Sequence, residues 1–171
     1  MGILADGLDN MRVQASTPGG SINAQLHGRS DVYVSFAPGY YRRVDRGDLE
    51  AHLASLARLL WVARMREYYA LLSDALGMQV TGESPAISPR DVEYERQRDG
   101  LRAEGRASDG SVTVSVVGMK TWKVSVSDHA LNTLREEEFA ARVGEAAGAL
   151  IHDHRRQIRE LKMRIYDPAF T

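Results

Sequence analysis

The chain contains no cysteine. This excludes disulfide staples, thiolate zinc sites and cysteine nucleophiles, and it makes a reducing cytoplasm the expected compartment. The opening "MGILADGLDN" lacks the basic start and apolar stretch of a secretory signal. No later run approaches the roughly 20 apolar residues of a membrane span. The expected protein is neither exported by a cleaved signal nor embedded in a membrane. A net charge of −1 gives no global pull toward nucleic acid or acidic lipid, so any such binding has to come from local patches. With 43% hydrophobic and 26% charged residues over 171 positions, the chain can bury a core as one ordinary domain or two very small ones.

Within that composition one phrase occurs twice. "GGSINAQLHGRSDVYVS" begins at Gly19 and "DGSVTVSVVGMKTWKVS" at Asp109, and a constant offset of 90 aligns Met11 with Leu101 and Leu71 with Leu161 without a gap. Identities include Arg12/Arg102, Gly28/Gly118, Val34/Val124 and Ala57/Ala147. The pattern is stronger than the identities. Ile22, Ala24 and Leu26 match Val112, Val114 and Val116, while Val32, Val34 and Phe36 match Trp122, Val124 and Val126. A period of two marks half-buried strands, and "TPGG", "ASDG", "HGRS" and "VGMK" supply the turns between them. Each half is predicted to open with a three-stranded antiparallel meander.

A helix of about 30 residues, roughly 45 Å long, is predicted to follow each meander. In the first half Asp45 caps it with Asp48 three residues on, Leu49, Leu53, Leu56 and Leu60 form its apolar stripe, and Gly77 stops it. In the second half Phe139, Val143, Ala146 and Leu150 form the stripe, continued by Ile158, Leu161 and Ile165, behind an acidic start at "REEE". Such helices outrun a three-stranded sheet, so the excess has to pack on the other repeat. "LLWVARMREYY", apolar around most of one turn through Leu59, Leu60, Trp61 and Val62, is expected to be buried on more than one side. The fold class is therefore α+β: two tandem repeats, each a three-stranded antiparallel meander followed by a long α-helix, forming an intrachain pseudo-dimer. Residues 1–77 make the first repeat and residues 101–171 the second. Residues 78–100 read as a linker with a short helix, capped by Ser88 with Pro89 in its first turn, Asp91 at the third position and Gly100 as the stop. An extended strand through Val92 and Tyr94 is the alternative.

With "DGSVTVSVVG", "WKVSV" and "EEEFAARVGEAAGAL" in this order, the chain resembles the YbaB/EbfC family of nucleoid-associated proteins. Residues 101 to about 160 match that pattern best. The first half matches more loosely and lacks room for the family's N-terminal helix before its first strand. Family members are small homodimers, so the tandem copy is similar to a fused dimer. The resemblance implies sequence-nonspecific DNA binding at the nucleoid. Related YbaB-like domains occur in accessory proteins of actinobacterial type VII (ESX) secretion systems, which the first half looks like. That likeness implies an adapter or chaperone-like role with a protein partner.

No catalytic constellation is legible. There is no GxxxxGK[ST] phosphate loop. His152 and His154 in "HDHRR" stand two apart, about 200° around a helix, and cannot share a metal from one face. His154 falls instead in the apolar stripe. "SDHA" holds Ser, Asp and His consecutively, whereas triads are assembled from separated segments. No enzyme activity, cofactor or metal is expected. Two basic stretches are more informative. Residues 152–164 and residues 42–66 each carry a net +3, which suits a grip on phosphate backbone but also an ordinary solvated helix face. Arg155, Arg159, Lys162, Arg64 and Arg66 are the candidate DNA-binding residues. Trp61, Tyr68, Tyr69, Leu60 and His154 are the candidate partner or inter-repeat surface. Further self-association between chains stays open.

Overall fold

The computed structural model describes residues 2–170, with the side chain of residue 170 left out. The first half runs α1 (Ile3–Asp9), β1 (Arg12–Ser16), β2 (Ile22–His27), β3 (Asp31–Phe36), α2 (Tyr40–Arg43) and α3 (Arg46–Leu76). The second runs α4 (Pro89–Asp99), β4 (Arg102–Arg106), β5 (Val112–Val117), β6 (Thr121–Val126), α5 (Ala130–Thr133) and α6 (Glu136–Tyr166). Each of these strands and α-helices of the first half recurs with its bounds displaced by 90 residues, except that α4 starts earlier than the counterpart of α1; a 3-10 turn at Pro18–Gly20 has no counterpart. Each half forms its own antiparallel sheet, in the orders β1-β2-β3 and β4-β5-β6. The chain is thus two tandem units, each a three-stranded meander followed by a long helix. One expectation is corrected here: a seven-residue helix does fit ahead of the first strand.

Local chemistry accounts for the helix ends. The Asp48 backbone N–H donates to the Asp45 carboxylate at 2.8 Å, and Gly77, at φ 66°, closes α3 in the left-handed region. Ser88 and Asp91 cap α4 reciprocally with Pro89 in its first turn, so residues 89–99 are helix and not strand. Asp91 also accepts the Tyr166 hydroxyl at 2.7 Å, tying the start of α4 to the end of α6. Backbone donors from Ser88, this hydroxyl and the Ile87 N–H hold the Asp91 carboxyl down at about 2, and the same bond pushes Tyr166 up to about 12.

The inward faces of β2 and β5 are fully apolar. Ile22, Ala24 and Leu26 and their counterparts Val112, Val114 and Val116 are all buried, opposite Val34 and Val124 in matching register. The leucine stripe of α3, Leu49, Leu53, Leu56 and Leu60, is buried as well, each side chain stabilising the fold by about 1.5–3 kcal/mol. The cover is exchanged between halves. α3 lies on β1 and β2 of its own sheet and on β6 of the other, while α6 lies on β4, β5 and β3. Of the two outer strands of each sheet, one (β3 or β6) is therefore covered by the other half's helix and one (β1 or β4) by its own. On one side the Glu50 carboxylate accepts the Val126 N–H at 2.8 Å. On the other, Gly144 lets the Val32 carbonyl approach α6 so closely that a Cβ would collide with it. Gly105 does the same between β4 and α6, beneath Ala146 and Leu150.

The pseudo-twofold seam is apolar. Phe139 stacks near both Phe36 (6.0 Å) and Tyr41 (5.4 Å), and the Tyr41 hydroxyl donates to the Leu134 carbonyl at 2.7 Å. A small cavity of about 60 Å³ lies among Leu53, Leu56, Val114 and Val143. A second expectation is corrected on α3: Leu60 is buried and Trp61 half-buried, but Leu59 and Val62 are each 41% exposed. The turn is apolar all round in sequence and buried on one side only. Among the described residues no helix is long and apolar enough to cross a membrane.

Candidate anion-binding groove

Beyond Leu60 and Ile151 the contiguous core ends and a groove of about 870 Å³ opens between the two long helices. α3 contributes Trp61, Arg64, Met65 and Tyr68. α6 contributes Ile151, His154, Arg155, Ile158, Arg159, Lys162 and Met163. Tyr94 and Arg98 of α4, Glu83, and the β5–β6 turn at Gly118, Met119 and Lys120 complete it. Four pairs separated by 90 positions line it together: Trp61 with Ile151, Arg64 with His154, Met65 with Arg155, and Tyr68 with Ile158. The groove therefore straddles the pseudo-twofold axis, and neither half forms it alone.

Its charge is one-sided. Among the described residues six Arg or Lys side chains line it against one carboxylate, Glu83, and that carboxylate is ion-paired with Arg98. Among the described residues Arg64, Lys120, Arg155, Arg159 and Lys162 have no ion-pair partner. The acids nearest to them on α6 are engaged elsewhere. Asp153 holds Arg156 at 2.6 Å and the Glu104 backbone N–H at 2.9 Å, and Glu160 holds Arg156 at 3.1 Å. The helix thus segregates its charges, with a neutralised outer face and a bare cationic inner one.

Arg64 is the most constrained of these cations. Its Nε is buried without a hydrogen-bond acceptor among the described residues, and its guanidinium lies 5.1 Å from the Trp61 ring. Burial, then Arg155, then Arg29 push its pKa down. His154 meets the Trp61 ring edge-on at 5.8 Å and 78°. Burial and the neighbouring Arg64 cation lower its pKa, against a smaller opposing pull from Asp153, which keeps the imidazole neutral near neutral pH. A desolvated guanidinium beside another cation is costly until an anion joins it.

The sequence candidates divide sharply. Arg155, Arg159, Lys162 and Arg64 converge on the groove, with Trp61, Tyr68 and His154 beside them. Arg66 and Tyr69 do not: they line a shallower groove with Val62, Ala70 and Val80. Leu60 lies in the core. Of the other basic residues in the first stretch, Arg46 pairs across the halves with Asp128. His152 is exposed beside the Ser30 hydroxyl at 3.2 Å, well apart from His154's role. Lys120, Arg98 and Tyr94 went unsuspected, being turn and linker residues in sequence. Lys120 follows Met119, whose φ of 56° is the one left-handed non-glycine backbone among the described residues. With Gly118 at φ 60° before it and the Lys120 N–H donating to the Val117 carbonyl at 3.1 Å, Met119 is the second central residue of a type I′ hairpin turn, which requires positive φ there. Among the described residues no cluster of His, Asp and Glu has the arrangement of a metal site.

No protein family, curated protein or solved structure matches this chain.

Proposed function

We propose that this chain is a non-catalytic binding protein that holds the phosphodiester backbone of DNA in the groove between α3 and α6. The observation that carries this reading is the convergence of Arg64 from one repeat with Arg155, Arg159 and Lys162 from the other, none of them neutralised by a carboxylate among the described residues. Phosphates supply the missing counter-charge, and released counterions supply the free energy. Contacts of this kind to phosphate carry no sequence information, so on this reading recognition is sequence-nonspecific. The resemblance to nucleoid-associated YbaB/EbfC proteins read from the sequence points the same way, and on this reading the chain acts at the nucleoid in the cytoplasm.

The test is fluorescence-anisotropy binding of mixed-sequence DNA at ~50 and ~200 mM salt. Four phosphate contacts on a duplex give a log–log slope of about −3.6, a weakening of about 150-fold over that range. Changing Arg155, Arg159 and Lys162 together to Ala removes most of that slope. No binding at the lower salt overturns the reading.

A second reading is favoured by a set of exposed apolar side chains. Leu59 and Val62 of α3, Leu76, and Met78 and Ile87 of the following segment are exposed, Ile87 by 90%. Such residues suit an adapter that receives another protein, in keeping with the type VII secretion likeness. Co-purification of a stoichiometric partner that is lost on Val62→Lys would support it.

A further inference from the structure

We infer that the groove takes single-stranded rather than duplex DNA, with phosphates on the α6 wall and bases on the aromatic wall formed by α3 and α4. This inference rests on the DNA-binding reading above.

It follows from how the two repeats differ at this place. Where α6 carries Arg155, Arg159 and Lys162, the equivalent α3 positions are Met65, Tyr69 and Leu72. Of these three only Met65 lines the groove, so α6 brings Arg155, Arg159 and Lys162 to it where α3 brings Arg64 among Trp61, Met65 and Tyr68; the α6 wall is the more cationic and the α3–α4 wall the more aromatic. A duplex shows a binding surface only its charged exterior, and two cationic walls would serve it better. A single strand presents phosphates along one side and unpaired π-faces along the other, which matches two unlike walls.

The aromatic side chains are placed for that task. Trp61, Tyr68 and Tyr94 are all half-buried within the groove. Arg64 lies 5.1 Å from the Trp61 ring centre, and Arg98 and Lys162 lie 5.7 and 6.0 Å from that of Tyr94. Trp61 and Tyr94 are thus each paired with a cation, and a base stacked there brings its phosphate to a guanidinium or ammonium, while Tyr68 stands edge-on to Tyr69 at 5.4 Å beside them. Size points the same way. A groove of about 870 Å³ encloses ligands of small-molecule dimensions, which suits a few nucleotides, whereas a duplex would touch only its rim. Arg64, buried and without an acceptor for its Nε, is reached by a strand that enters the groove and not by one lying across it.

The test compares a fluorescein-labelled mixed-sequence single strand with the same sequence as a duplex, using the full chain across a salt series. The expected result is at least tenfold tighter binding of the single strand, with a slope of about −2.8 for four phosphates. Tyr68→Leu keeps the apolar volume and removes the stacking face, and it should weaken single-strand binding about tenfold while leaving the salt slope unchanged. Tyr68→Phe should bind as the parent does, which separates stacking from folding. Equal or tighter duplex binding, or indifference to Tyr68→Leu, overturns this inference and leaves the DNA-binding reading standing. Failure of both DNA forms to bind at ~50 mM salt overturns both.

Discussion

Replacing Gly144 with alanine isolates the packing of one half's helix on the other half's outer strand. An exposed glycine inside a long helix normally gains about 1 kcal/mol when replaced by alanine. Here the added Cβ would fall well inside 3.0 Å of the Val32 carbonyl oxygen. An ordinary carbon–oxygen contact is about 3.3 Å or more, so β3 and α6 have to part by roughly 1 Å. Both partners are backbone, so no side chain can swing away. The strain therefore sits in the upper part of the overpacking range, about 2–3 kcal/mol. Set against the helix gain, the net loss is about 1–2 kcal/mol, or about 2–8 °C in melting temperature for a chain of this size. Thermal unfolding followed by circular dichroism measures it, with a urea titration as the independent check. Gly47→Ala is the matched control, because its Cβ would stand an ordinary 3.5 Å from Asp45 Oδ1 and should leave stability unchanged or raised. A melting temperature that rises in Gly144→Ala would refute the exchange of covering helices between halves.

Other perturbations separate fold from groove. Gly105→Ala puts a Cβ against the Ala146 carbonyl and the Leu150 backbone at once, and the variant should lose its cooperative melting transition. Among the described residues Glu83→Gln removes the one carboxylate lining the groove and leaves Arg98 paired with Asp99 alone; DNA affinity should rise, and the salt slope should steepen by up to ~0.7 on a single strand. His154 is held neutral by burial and Arg64, with Asp153 opposing. Its contribution to stability is therefore full above its ordinary value of 6.5 and declines as pH falls below that toward the lowered value. An anion beside Arg64 relieves the penalty on the imidazolium, so DNA affinity at fixed salt should strengthen as pH falls from ~8 to ~6. That trend should flatten in His154→Gln.

The repeat shows how much was legible in the sequence and where legibility ends. Period-two triplets such as Val112, Val114 and Val116 point to strands because a half-buried pleat requires alternation. Asp45 and Ser88 mark helix starts because their side chains meet backbone donors a few residues on. These are local rules. The helix over Ile3–Asp9 escaped them because seven residues with a central glycine and two aspartates show no period; Gly7 meets the Leu71 side chain of α3 instead. Which helix covers which outer strand was equally hidden, since it depends on close backbone approach at Gly105 and Gly144 and not on hydrophobic pattern. For the groove, the cationic stripe of α6 could be read along one helix. Its convergence with Arg64, Lys120 and Tyr94 needed the third dimension, and so did the separation of Arg66 and Tyr69 from it.

Because each sheet is completed by the helix of the other half, residues 77–88 work as a tether between two interlocking pieces. Nothing in the interlock requires both pieces to come from one chain. The tether's contribution is effective concentration, which keeps the partner half nearby. At high protein concentration, or with a shortened tether, the first half of one chain can seat the second half of another and the reverse, giving a reciprocal dimer with two complete grooves. A chain cleaved within residues 81–85 should likewise remain one particle under native conditions, while residues 1–77 expressed alone, with β3 uncovered, should not yield a stable folded monomer.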